Sequence, residues 1–172
     1  MEYISQDWSK SLTSQELSQY TTDYIKYWSH RSCGLACSAM AIKALNNGTS
    51  VSINKLHDQS MAIYAFTIKG IIHEKLANIL NKNEVNAKAI TCHISEITKM
   101  LDKDNLFIAS VSHLFSPEKK GGHLILVHGY EIIENKTFLK IQDPSPYGEG
   151  KKLIKLSEFE ASYCGNGIMV WK

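Results

Sequence analysis

Three side chains far apart in the chain are of the types that covalent acyl chemistry needs: Cys33, His123 and Asp143. Cys33 follows Ser32, a reasonable helix N-cap, and so falls in the first turn of the helix expected over Ser32–Leu45. Unpaired backbone N–H groups and the helix dipole favour negative charge there. A thiol so placed has its pKa drawn from about 8.5 into the range of about 3.5–7.5. Cys37, one turn further on, loses most of that advantage. A thiol that only fills space in a buried helix fits position 33 equally well. His123 follows Gly121-Gly122 and opens a strand, where a base is both held and reachable. Alternation turns His128 to the opposite face, so the two histidines do not share a site. A lone strand histidine is more often a satisfied core residue. Asp143 ends the next strand in Lys-Ile-Gln-Asp-Pro, because Pro144 cannot donate to a sheet ladder. Taken alone, Asp-Pro reads as a turn starter. Together the three supply a nucleophile, a base and a carboxylate that holds the imidazole tautomer. Gly34 and Gly122, one beside each reacting residue, are the positions expected to admit a substrate backbone.

The elements that must position them follow from periodicity. Leu35, Ala39, Ile42 and Leu45 recur at helical spacing, and Asn46-Asn47-Gly48 is a stop. Further helices are expected over Ile53–Ala62, Gly70–Leu80 and His93–Leu101, with a short strand at Ala87–Cys92. After Asp102 the period becomes that of strands: Leu106–Val111, Leu124–Ile133, Thr137–Ile141, Lys152–Leu156 and Gly167–Val170, with Glu134-Asn135-Lys136 as a hairpin turn. Helices first and strands afterwards predict an α+β domain, an N-terminal helical half packed on a C-terminal antiparallel β-sheet. Residues 1–24 read as a peripheral N-terminal extension.

Composition sets the outer limits. A chain of 172 residues suits one domain and has a core large enough to need no disulfide or metal staples. The formal charge is only +2, which gives no electrostatic case for nucleic acid. No apolar run approaches the roughly 18 residues of a membrane span. The start, MEYISQDWSK, lacks the pattern of a secretory signal, so a cytoplasmic protein with reduced thiols is expected.

The pieces SCGLACSAMAIKAL (from Ser32), GGHLILVHGY (from Gly121), IQDPSPYG (from Ile141) and LSEFEASYCGNGIMVW (from Leu156), in that order, resemble the C39-like cysteine peptidases, which have a papain-like fold. The likeness covers most of the chain from about residue 25. It implies a stand-alone peptidase domain with Cys33 as nucleophile, His123 as base and Asp143 orienting it. It also implies a peptide or protein substrate and no cofactor. Many members cleave a leader peptide after a small-residue pair. Two positions depart from the family. The Gln that usually precedes the nucleophile and donates to the oxyanion is missing between Tyr27 and Ser32, which leaves Trp28 or His30 as substitutes. Loss of one such donor costs about 10²–10³ in rate elsewhere. Leu35 stands where the family commonly has Pro. Two other chemistries stay open: transfer from the same thioester to an amine, and an inactive domain that only holds a peptide.

Other signals fail on spacing. His73-Glu74 begins a zinc-protease motif, but Ala77 stands where the second histidine belongs. His30, Cys33 and Cys37 lack a fourth metal ligand, so no metal site is expected. Gly148-Glu-Gly-Lys-Lys lacks the glycine spacing of a phosphate loop. Lys119-Lys120 and Lys151-Lys152 read as solvated loop charges.

Overall fold

A computed structural model describes residues 1–118 and 121–172. Lys119-Lys120 lies outside the described residues. The helical half begins with two single-turn helices, α1 (Trp8–Ser11) and α2 (Ser14–Leu17). Thr13 and Glu16 form a reciprocal capping box on α2. Next come α3 (Thr22–Ser29), capped by the Thr21 side chain, and α4 (Cys33–Leu45). Every residue of α4 from Gly34 to Ile42 is buried, as a helix apolar on all sides must be. Ser32 precedes α4, but its hydroxyl caps nothing; it accepts the Trp8 Nε1–H at 2.8 Å instead.

α5 (Ile53–Ala62) leads into a hairpin of β1 (Phe66–Thr67) and β2 (Gly70–Ile71), and then α6 (His73–Lys82). The expected helix over Gly70–Leu80 therefore starts three residues late. Gly70 has φ +117° and pairs with Thr67, a backbone state that closes a hairpin and that side chains resist.

The remaining elements are β3 (Asn86–Thr91), α7 (Ile94–Leu101), β4 (Leu106–Ser112), β5 (Gly122–Ile133), β6 (Lys136–Gln142), β7 (Leu153–Lys155), α8 (Leu156–Ser162) and β8 (Tyr163–Trp171). Between β4 and β5, His113–Phe115 make a 3₁₀ turn. The sheet order is β3-β8-β4-β5-β6-β7, and every pair is antiparallel. The α+β class is as the sequence predicts. Alternation along β5 divides the core. Leu124 and Leu126 join α4, α5 and α6 on one face, whereas Ile125 and Val127 meet α7 and α8 on the other. Helix α8 is absent from the sequence reading, as is the early start of β8 at Tyr163.

The first 24 residues are less peripheral than expected. Trp8 is completely buried, and Ser5, Gln6 and Leu12 are buried with it. Trp8 belongs to the main core because its ring meets Tyr20, Tyr24 and His57 edge-on. Among the described residues, no helix is long and apolar enough to cross a membrane.

Candidate active site

Cys33 is the first residue of α4 and is partly buried. His123 is the second residue of β5, held in register with Val111 of β4. Asp143 follows the last residue of β6, on the strand that pairs with β5. The hairpin of β5 and β6 returns the carboxylate to the imidazole. His123 Nε2 lies 2.7 Å from Asp143 Oδ1, and both residues are buried, at 6% and 4% exposure. Nδ1 is the other ring nitrogen, and Cys33 and His123 line the same cavity. All three candidate residues therefore converge at the junction of the helical half and the sheet.

The electrostatics follow from that convergence. Burial alone pushes the Cys33 thiol up, but the His123 hydrogen bond and charge, with the N–H groups of Leu124 and Gly34, hold it below the ordinary thiol value. Burial alone pulls His123 down, yet the hydrogen bonds and charges of Asp143 and Cys33 raise it to about 10. Burial alone raises Asp143. Its hydrogen bond to His123, the charge there and the Ser145 contacts reverse that and keep it below the usual carboxylate range. Thiolate and imidazolium thus stabilise each other. Cys37, one turn along α4, is raised well above the ordinary thiol value by burial and then by Cys33 and Asp143. Its Sγ rests 3.4 Å from the Leu124 carbonyl.

The supporting residues were mostly beyond sequence reasoning. Ser145 N–H donates to Asp143 Oδ1 at 3.0 Å, a side-chain turn that the Asp-Pro-Ser string could have signalled. Gly148 packs so closely on Asp143 that an added Cβ would lie 2.3 Å from its Cβ and Cγ. The His113 ring stands edge-on to His123 with centroids 5.8 Å apart.

A cavity of about 190 Å³ opens beside Cys33 and is walled in part by His30, Arg31, Lys69, His73, Gly122 and His123. Gly122 has φ +94°, and a Cβ there would meet no atom within 4 Å, so the backbone is open to the cavity. Gly34 is placed differently from its expected role. It is buried, and a Cβ would press within 3.0 Å of Leu124, Ile71 and Leu76, so its small size serves packing of α4 against the sheet. His30 lines the cavity. Trp28 does not: its ring is buried against His57 and Phe66, with centroids 4.4 and 4.7 Å away. Apolar area drew the indole into the core and away from the cavity wall. Among the described residues, no group of three or more His, Cys, Asp or Glu side chains could hold a metal ion.

Comparison with known proteins bears on this geometry. The sequence model of the Peptidase C39 family matches residues 21–172. The fold is shared with the peptidase domain of Streptococcus ComA, a bifunctional ABC transporter involved in a quorum-sensing pathway. The TM-score is 0.60 at 22% identity, over 82% of this chain and 91% of that one. It is shared also with a double glycine motif protease from an AMS/PCAT transporter, solved in complex with a leader peptide. There the TM-score is 0.54 at 16% identity, over 82% of this chain and 85% of that one. A search of curated proteins finds no match.

Proposed function

Because the chain belongs to the peptidase C39 family, we propose that it is a cysteine peptidase in which Cys33 attacks a peptide carbonyl, His123 moves the proton and Asp143 holds the imidazolium. The observation that carries this reading is the buried His123–Asp143 pair, 2.7 Å apart, with Cys33 and the same imidazole on one cavity wall.

The Cys33 thiolate adds to the carbonyl carbon and charge passes to the oxygen. The Cys33 N–H, in the first turn of α4 where helix N–H groups lack intrahelical partners, is the donor we assign to that oxyanion. His30, on the cavity wall, is the side chain we assign as a second donor. The carbon–nitrogen bond then breaks. His123 gives its proton to the departing amine and a thioester stays on Cys33. Water, deprotonated by the now neutral His123, releases the acid and restores the thiol–imidazole pair.

The substrate class we favour is a leader peptide cleaved after a small-residue pair. The AMS/PCAT relative is a double glycine motif protease solved with a leader peptide, and the open backbone at Gly122 leaves little side-chain bulk on one wall of the cavity. The test is mass spectrometry of products from peptides with a Gly-Gly junction, with and without a competing primary amine. Cleavage to a free acid that disappears in Cys33→Ala supports hydrolysis. An amide product points to acyl transfer instead. Undiminished cleavage by Cys33→Ala ends the assignment.

A further inference from the structure

The family match begins at residue 21, yet the residues ahead of it touch both sides of the catalytic junction. On the helical side, Trp8 Nε1–H donates to Ser32 Oγ at 2.8 Å, a buried bond to the residue directly before Cys33. The Trp8 backbone N–H donates to Ser29 Oγ at 2.9 Å, and Gln6 Nε2 donates to the Ser29 carbonyl at 2.9 Å. Both act on the last turn of α3, which leads into the nucleophile. On the sheet side, the Gln6 N–H donates to the Pro144 carbonyl at 2.9 Å. Tyr3 Oη donates to the carbonyls of Pro144 and Ser145, each at 3.2 Å. Gln142 Nε2 reaches the Met1 carbonyl at 3.2 Å. These bonds bracket Asp143 on both flanks, and Ser145 in turn holds Asp143 Oδ1.

We propose that residues 3–8 form a positioning strap that ties the start of the nucleophile helix to the Asp143 loop, with Trp8 and Tyr3 as its positioning residues. Neither side chain reaches the reacting atoms. The strap acts by fixing the separation of two elements that belong to opposite halves of the fold. Ser32 gave up the capping role its type suggests and accepts from the indole instead. A hydroxyl buried at that spot without the indole would lack its partner and would let the first turn of α4 move. Tyr3 joins two successive carbonyls, so its phenol limits the swing of the turn that carries the carboxylate. Reactive geometry tolerates about 1 Å of error before rates fall about 10²-fold, so small slack in either tie is felt at the sulfur.

The inference rests on the peptidase reading, but its test does not need turnover. In the full chain, Trp8→Phe keeps most of the ring and removes the N–H, and Tyr3→Phe removes only the hydroxyl. Ser32→Ala removes the acceptor. The primary readout is the pH dependence of Cys33 alkylation by iodoacetamide, with the second-order rate at each pH. The expected result is an upward shift of the thiolate limb in Trp8→Phe and in Tyr3→Phe. Trp8→Phe with Ser32→Ala together should shift no further than either alone. Where a peptide substrate is in hand, kcat should fall about 3–10-fold with KM within twofold. Unchanged alkylation profiles in both variants, measured below their melting temperatures, would overturn the strap, even if their thermal stability drops. A wild-type chain that alkylates with a depressed thiolate limb but cleaves no peptide would count against the peptidase reading alone.

Discussion

Replacing Asp143 with Asn separates the charge of the carboxylate from its shape. The amide keeps an oxygen where Oδ1 accepts from His123 at 2.7 Å and from the Ser145 N–H at 3.0 Å, so the imidazole keeps its orientation. The charge that helps raise His123 from 6.5 to about 10 is gone. Asp143 and Cys33 together hold the imidazole up against burial, so its pKa drops in Asp143→Asn. The balance between ion pair and neutral pair follows the difference of the two pKa values. It falls by about tenfold for each pH unit that the imidazole drops. The loss should be smaller than the roughly 10⁴-fold of an Asp→Asn change in a serine triad. There the neutral amide traps the wrong tautomer, whereas an imidazolium carries a proton on both nitrogens.

The assay is kcat/KM on a cleavable peptide from pH 5 to 11, run beside Cys33 alkylation over the same range. The sign is fixed by the direction of the shift. His123 is raised in the folded protein, so the imidazolium and the stability it brings are fully present below its unfolded value. They are lost as pH rises through about 10. The alkaline limb of Asp143→Asn should therefore move down, and the acid limb, set by the thiol, should move up. An alkaline limb that stays in place in Asp143→Asn would refute the claim that this carboxylate sustains the ion pair.

Three further outcomes are expected. Gly148→Ala puts a Cβ 2.3 Å from Asp143 Cβ and Cγ and 2.6 Å from its carbonyl. Overpacking of about 1–3 kcal/mol should appear in urea unfolding, with a fall in kcat of at least about tenfold where the chain is still folded; full activity would free Asp143 from this contact. His57 is enclosed by Trp8, Trp28 and Tyr24, and burial lowers it despite Asp58 beside it. Its stabilising contribution is complete above about 6.5 and declines as pH falls from there, so His57→Gln should flatten the loss of urea midpoint between pH 7.5 and 5.5. Among the described residues, the cavity wall carries His30, Arg31, Lys69 and His73 and no carboxylate. Peptides with Asp or Glu next to the cleaved bond should be processed several-fold faster than neutral ones, and Lys69→Glu should erase that preference; equal rates on both peptides in the native chain would exclude it.

How far the sequence could be read depended on the range of the forces involved. Cys33 at a helix mouth was legible because capping and dipole effects act within one turn. The β5–β6 hairpin was legible because its turn is local, and that turn is what brings Asp143 to His123. Helix α8 was not: Leu156 and Phe159 share one helical face, but the seven residues of Leu156–Ser162 are too few for a period to stand out beside the strand pattern of β7. The β1–β2 hairpin was hidden by Ile71 and Ile72, which continue the apolar pattern of α6 backwards; only the φ of Gly70 breaks it. Gly34 was assigned to the substrate because a glycine beside a nucleophile suggests access. The close approach it permits is to Leu124, a residue ninety positions away. Trp28 was misplaced for a similar reason, since its partners His57 and Phe66 come from later elements.

Cys33 and Cys37 sit one turn apart on α4 and are driven in opposite directions. An electrophile offered at a pH below the ordinary thiol value therefore meets Cys33 in preference to Cys37. That contrast makes an irreversible inhibitor with a short peptide recognition arm feasible for this protein.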